Sequence, residues 1–442
     1  MTTQIIEKPI EFKGFKEKKI VADFSGGEIT SDAGLLMFRE LEKKSKIIKE
    51  MSSCIQDKRE AAKVDHSIEE LLKQRVFGLI GGYEDINDHQ QLRNDTTFKI
   101  LCERKTNDTA LSSPPTICRF ENMVDRNDII AMSKKLVEQF INSYKTAPTE
   151  LILDFDASDN PVHGDQENKF FHGYYDEYCF LPLYVFCGKK HILSYLRSAW
   201  KGAAQHTWAI LAMLVKRFRE VWPNVRIIFR GDAGFCKHLM FGWCEKNNVD
   251  YIVGIGTNKV IARLAKEIID KAEAEFVKTK EKVRIFDEIK YAAQTWSKER
   301  RVIVKAERLK EKMNTRYIVT NIDKDVLKPQ ELYDKNYCPR GDMENRIKDH
   351  QLSLFSLRTS CHLFVANMFR VLLSSIAYNL FEEFQRSILA GTEFADAYYS
   401  TIRTKLIKIG ATITENSRKI LFRMSSYFPY QDLFSKLCIN LR

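Results

Sequence analysis

Leu151-Ile152-Leu153-Asp154-Phe155-Asp156 is the stretch on which the reading of this chain turns. Its branched and aromatic residues predict a β-strand, and a strand sends alternate side chains to opposite faces. Asp154 and Asp156 are therefore expected on one face, away from Leu151, Leu153 and Phe155. Asp156 is nearer the strand end and precedes Ala157-Ser158, which places its carboxylate at an open rim. Asp154 is the alternative ligand or a support for it, and Asp159 reads as a turn residue.

A second such run, Arg226-Ile227-Ile228-Phe229-Arg230-Gly231, ends in Asp232. Gly231 and Gly234 flank that aspartate and permit a sharp exit from the strand. Standing alone, Gly-Asp-x-Gly would read as an ordinary turn; at a strand end it offers a second carboxylate. The third, Glu344, lies in a helical pattern running from Tyr337 to Lys348. At about 100° per residue, Tyr337, Arg340, Glu344, Lys348 and Gln351 fall on one stripe and Asp342 on the opposite face. Pro339 suits the first helical turn.

Two carboxylates at strand ends and one on a later helix suit divalent metal, and the three are expected to converge. A pair of Mg²⁺ ions, with Mn²⁺ as a substitute, can activate a water or hydroxyl and stabilise the leaving oxygen in phosphoryl transfer. Asp156, Asp232 and Glu344 are the candidate ligands, with Asp154 in reserve. Tyr337, Arg340, Lys348 and Arg230 are the candidate DNA contacts; guanidinium and ammonium groups suit phosphate oxygens.

The chain has 442 residues and a net charge of +11. That charge favours a polyanionic partner, and beside an acidic triad the partner is expected to be nucleic acid. The first residues, Met1–Lys8, have no apolar signal-peptide core. The most apolar helix candidate, 359–384, is interrupted by His362, Asn367, Arg370 and Asn379, so it reads as a buried helix. No membrane association and a cytoplasmic location are expected. The ten cysteines contain no CxxC pair and read as reduced thiols. Cys236, His238 and Cys244 fit no standard zinc module.

Four segments are expected. Residues 1–146 are a mostly helical N-terminal region, charged and loosely ordered over 1–20, rich in Lys and Arg and suited to DNA. Thr116 is expected to cap one of its helices. Residues 147–257 and 336–385 form the catalytic α/β domain. Its order is three strands in a meander (with Tyr178–Gly188 as one long strand), then helix, strand, helix, strand. Residues 258–335 are a mostly β insertion, and 386–442 a C-terminal extension.

At these residues the chain resembles the DDE transposases of bacterial insertion sequences. Their Tyr-x2-Arg-x3-Glu signature occurs as Tyr337, Arg340 and Glu344. One subgroup is resembled over nearly the whole chain, through Leu153–Asp159, His163–Tyr175, Arg230–Phe235 and Arg340–Lys348. The likeness also covers Asp23–Gly27, Gln56–Arg59 and Arg119–Asn122. Where the family has a basic residue seven positions after the glutamate this chain has Gln351, with Lys348 as the nearest substitute. The resemblance implies an RNase H-like core, a mixed five-stranded sheet flanked by helices, interrupted by a β insertion. It implies a transposase that binds its element's terminal inverted repeats, cleaves at the ends, and joins the 3′-hydroxyl to target DNA as a homodimer. Asp156, Asp232 and Glu344 would be its triad. The alternatives are a metal-dependent nuclease of the same fold and an inactive transposase-derived DNA-binding protein.

Overall fold

Leu151–Asp156 lies inside strand β1 (Glu150–Ala157), and its alternation sorts the two faces of a central sheet. Leu151, Leu153 and Phe155 are fully buried in a core with Ile227 and Phe229. Ile152 packs on the other face with Ile228, Ile252 and Leu332. Asp154 and Asp156 share that second face by the strand's period of two. The structure is a computed structural model that describes residues 9–200 and 202–441. Met1–Lys8, read above as lacking a signal-peptide core, lies outside the described residues.

Strands β2 (Leu183–Cys187) and β3 (Lys190–Tyr195) continue from β1 as an antiparallel meander. The single long strand expected over Tyr178–Gly188 is divided, because Pro182 has no N–H to give to a ladder. Glu177–Phe180 pairs instead in a small separate sheet with Asn160–Pro161 and Phe170–His172. Strands β4 (Arg226–Gly231) and β5 (Asp250–Ile255) run parallel on the other side of β1. Helices α1 (Arg126–Asn142), α2 (Thr207–Val221) and α3 (His238–Lys246) supply apolar residues to the core under β1. Leu211, Leu214, Val215 and Phe218 of α2 are buried there, each contributing about 1.5–3 kcal/mol as an upper estimate.

The residues expected as a mostly β insertion lengthen the sheet. After α4 (Lys259–Leu264) and α5 (Lys266–Thr279) come β6 (Val283–Tyr291), β7 (Arg300–Arg308) and β8 (Met313–Thr320). The order is β6-β7-β8-β5-β4-β1-β2-β3, the five core strands joined edge-on by the three of this segment. β8 pairs antiparallel with β5 from Ile252↔Thr320 to Ile255↔Tyr317. Without it, β5 would present an open edge of unpaired backbone groups.

The chain divides into two compact units. One holds the central sheet and comprises Cys54–Gln56 and Asn122–Asn379; the other comprises Met1–Ser53, Asp57–Glu121 and Leu380–Arg442. The boundary expected at 146 thus falls at 121, because Val137, Phe140 and Ile141 of α1 belong to the core under the sheet. The C-terminal extension expected at 386–442 is built into the other unit. There Ala411–Asn416 pairs antiparallel with Glu28–Thr30, and Lys408 Nζ meets buried Asp32 at 2.7 Å. A Cβ on Gly34 would lie 2.1 Å from the Leu406 carbonyl oxygen, so only glycine fits that approach. In the same unit Ile10–Phe15 and Lys18–Ala22 form a hairpin within the segment expected to be loose. The helix expected to start at a Thr116 cap starts at Pro114, a residue preset for a first turn.

After β8 the chain winds through a helical run whose regular part is α6 (Gly341–Lys348). Among the described residues one helix is long and apolar enough to cross a membrane, α7 (Phe364–Ser387). Its most apolar window is 78% buried, with Tyr378 against Phe186 and Phe384 against Phe38. All ten cysteines are free thiols.

Candidate active site

Strand register sets the first two carboxylates side by side. β4 pairs with β1 so that Arg230 lies opposite Asp154 and Gly231 opposite Phe155. Asp232 therefore leaves its strand level with Asp156, on strands about 4.8 Å apart. Asp232 then caps a single turn, Ala233–Phe235, its Oδ1 accepting the Gly234 N–H at 2.8 Å. A Cβ on Gly254 of β5 would lie 2.7 Å from the Tyr337 hydroxyl oxygen. Glycine at that position lets the tyrosine close over the strand ends.

Asp154 and Arg230 stand one pleat deeper, and both are buried. Arg230 Nε donates to Asp154 Oδ1 and Nη2 to Asp154 Oδ2, the latter at 2.7 Å. Nη1 donates to the Asn336 carbonyl. Both oxygens of Asp154 thereby accept from Arg230, the arrangement expected of a support for Asp156. Arg230, expected at phosphate, is committed to the interior, because the parallel register sets it opposite buried Asp154. Breaking so buried a pair from one side costs about 3–5 kcal/mol.

The helical run carrying Glu344 covers this face of the sheet. Leu332 and Tyr333 pack on Ile228, Ile252 and Ile318, with Tyr337 partly buried beside them. Leu332–Tyr337 is wound as wide π turns, Cys338–Arg340 as a tight 3₁₀ turn, and Asp349–Ser353 as π turns again. A uniform 100° wheel therefore does not describe it, and the single stripe expected from Tyr337 to Gln351 breaks. Gln351 is buried; its Nε2 donates to the Asp159 carbonyl at 3.1 Å and to Asn160 Oδ1 at 3.3 Å. It ties the helical run to the chain just beyond β1. Lys348 is exposed.

Arg340 joins the carboxylates. Its Nη1 donates to Asp156 Oδ2 at 2.9 Å and its Nη2 lies 3.5 Å from Glu344 Oε1. Burial pushes the Asp156 carboxyl up to about 6; Arg340 opposes that rise and the charge of Asp232 adds to it. Burial also weighs against the Arg340 cation, but Asp156, Tyr337, Asp232 and Glu344 together hold its proton more tightly. Burial raises the Tyr337 hydroxyl, again with Arg340 opposing and Asp232 adding.

The expected convergence on one point is incomplete. Among the described residues no three His, Cys, Asp or Glu side chains are grouped to hold a metal. The Glu344 side chain is 59% exposed and meets Asp156 only through Arg340. The donors still fit a hard divalent cation: all are carboxylate oxygens, and a guanidinium already stands as a cation between two of them. Of the three residues considered for zinc, Cys244 is a core residue under the sheet.

Sequence reasoning missed two neighbours. Tyr184 is buried opposite Asp156 in the β1–β2 ladder. Tyr175, in the turn of the small sheet, packs with Ala157 on a core of Cys179, Leu181 and Ala199. Burial, then the charges of Asp159 and Asp156, push its hydroxyl up to about 12. Both lay in an aromatic-rich segment whose pairing partners are set only by the folded register.

A family profile described as Transposase DDE domain group 1 matches residues 12–442. No curated protein matches the chain. Among solved structures, a cryo-EM structure of the piggyBac transposase synaptic complex with hairpin DNA is similar at 13% identity. The match covers 85% of this chain and 79% of that one, with a TM-score of 0.44.

Proposed function

Because the chain belongs to the transposase DDE domain family, we propose that it is the transposase of a bacterial insertion sequence that cuts and joins DNA at its element's ends. It binds the terminal inverted repeats, cleaves there, and joins the 3′-hydroxyl to target DNA, acting as a homodimer. The observation that carries this reading is the level pairing of Asp156 and Asp232 at the ends of adjacent parallel strands, bridged onward by Arg340 to Glu344. The β3-β2-β1-β4-β5 order within the larger sheet supports an RNase H-like core.

Asp156, Asp232 and Glu344 would hold the divalent ions, with Mg²⁺ the physiological choice and Mn²⁺ a substitute. Bound there, such ions activate the attacking water or hydroxyl and stabilise the leaving oxygen. Asp156 must be ionised to serve, so protonation below about 6 opposes loading. Arg340, once a cation replaces it, has a planar pair of donors for a phosphate beside the ligands. Tyr337 walls the site over Gly254, and exposed Lys348 adds charge for the DNA backbone one turn beyond Glu344. Asp154 and Arg230 act only by holding β1 and β4 in register under the site. The unit that contains Glu28–Thr30 and Ala411–Asn416 is the proposed end-recognition unit.

Incubation with duplex DNA carrying the element's ends, a target duplex and Mg²⁺ tests this reading. Joined donor–target products support it. Hydrolysis without joining would identify a nuclease, and binding without nicking an inactive derivative.

A further inference from the structure

Between β1 and β2 the chain leaves the central sheet and builds the small one. Phe170–His172 and Glu177–Phe180 pair there as Phe171↔Tyr178 and His172↔Glu177. Gly173-Tyr174-Tyr175-Asp176 makes the turn, closed by Asp176 at φ 58° and by N–H groups of Tyr175 and Asp176 donating to the His172 carbonyl. One side of this hairpin is anchored: Cys179 and Phe180 are buried, and Tyr175 packs on the same small core of Cys179, Leu181 and Ala199 as Ala157, the residue after Asp156. The other side is bare. Tyr174 is 85% exposed, and Phe171 and Tyr178, paired across the hairpin, are each about half exposed. The Tyr174 ring stands edge-on to Tyr175 with centroids 5.0 Å apart, so the exposed ring is carried on one that packs on the same small core as Ala157. Phe171 and Tyr178 form a second edge-on pair at 5.6 Å, with the Lys169 ammonium 5.5 Å over the Tyr178 ring.

Every large apolar side chain exposed in this hairpin is aromatic. Aliphatic knobs would suit a protein groove; flat rings suit other flat rings. Nucleobases present such faces, but only when unpaired and unstacked, and each base stacked on an aromatic side chain strengthens binding with little regard to sequence. The hairpin follows β1, the strand that carries Asp156, on a chain of net charge +11.

We propose that Tyr174, with Phe171 and Tyr178 behind it, is a stacking platform that holds unpaired bases next to the scissile phosphate. The proposal rests on the reading of the carboxylate site as one that cuts DNA. Tyr175 is the positioning residue that fixes the platform to the end of β1. Stacking there would hold an opened DNA end so that its phosphate stays at the carboxylates.

The full-length protein is titrated, without divalent metal, against a short duplex with a frayed single-stranded end, and against the same duplex with the frayed bases replaced by abasic sugars. The wild type should bind the frayed duplex roughly 5- to 150-fold more tightly than the abasic one per stacked base. Tyr174→Ala should lose that preference, binding both duplexes as the wild type binds the abasic one, while Tyr174→Trp should keep it. Equal preference in wild type and Tyr174→Ala would overturn the proposal. So would a change in self-association with DNA binding untouched, which would assign the rings to a second copy of the chain. A parallel Mg²⁺ cleavage assay of the wild type separates the two claims. If the wild type does not cut, the functional reading fails; if it cuts and the stacking preference is absent or independent of Tyr174, only the platform fails.

Discussion

Arg340 and Asp156 meet at 2.9 Å across 184 residues of chain, and that contact brings the helix of Glu344 to the strand end of β1. The Asp156 side chain is 14% exposed and that of Glu344 59%. The site therefore has a built half, Asp156 and Asp232 set by strand register, and a rim half that reaches it through a guanidinium.

That guanidinium competes with metal for Asp156. Arg340→Ala should bind Mn²⁺ in the absence of DNA at least as tightly as the wild type, read by the electron paramagnetic resonance of free Mn²⁺. It should nevertheless cleave DNA more slowly by about 10²–10³-fold, the range for loss of one preorganised donor. Weaker Mn²⁺ binding in the variant would show that Arg340 organises the ligands instead of competing for them.

The raised Asp156 carboxyl makes metal-free stability depend on pH. Its folded value is about 6 against an ordinary 3.8, so between those values the native state binds more protons than the unfolded chain. Stability from this group is then highest below about 4 and falls as pH rises toward 6, by a total on the order of 3 kcal/mol. Denaturant unfolding in a chelator should show that fall in the wild type relative to Asp156→Asn. Parallel pH profiles would remove the proposed protonation. Mn²⁺ affinity should run the other way, rising with pH through 6 as the carboxylate ionises.

Asp154→Ala should destabilise the protein by about 3–5 kcal/mol, since it leaves the Arg230 cation buried without its partner. Residual cleavage by whatever fraction stays folded should be near the wild-type rate. A folded, inactive Asp154→Ala protein of unchanged stability would instead make Asp154 a ligand.

Binding to DNA ends should weaken steeply with salt, because phosphate contacts release counterions. Phe140→Ala should destabilise the catalytic unit by about 3–5 kcal/mol, as expected for a large core side chain. A chain lacking residues 1–146 loses α1 and with it that core contact. A chain without 1–121 and 380–442 is the better test of end recognition: it should bind DNA weakly and fail to prefer the inverted repeats. Undiminished preference would place recognition in the catalytic unit.

The order of the central-sheet strands and their helices from Leu151 to Ile255 is legible in the sequence because each carries its own period, whereas the small sheet between β1 and β2 is not. Leu151–Phe155 alternates at two, and Leu211, Leu214, Val215 and Phe218 recur at helical spacing. Pairings between distant segments leave no such mark. Nothing local in Arg230 shows that register will bury it on Asp154, and nothing in Met313–Thr320 shows that it will seal the edge of β5. The same holds for Ala411–Asn416, which finds its partner nearly four hundred residues earlier in Glu28–Thr30. Gln351 departs from the expected stripe because π turns change the angle per residue, which a regular wheel cannot anticipate.

The most direct test of the central claim is an end-joining assay on wild type and Asp232→Asn with end DNA, a target duplex and Mg²⁺. The wild type should cut at the element's ends and give joined products. Asp232→Asn should bind the same DNA with near wild-type affinity and give neither cut nor joined product, since only a ligand charge has been removed. Cleavage by Asp232→Asn at the wild-type rate would contradict the assignment of this site.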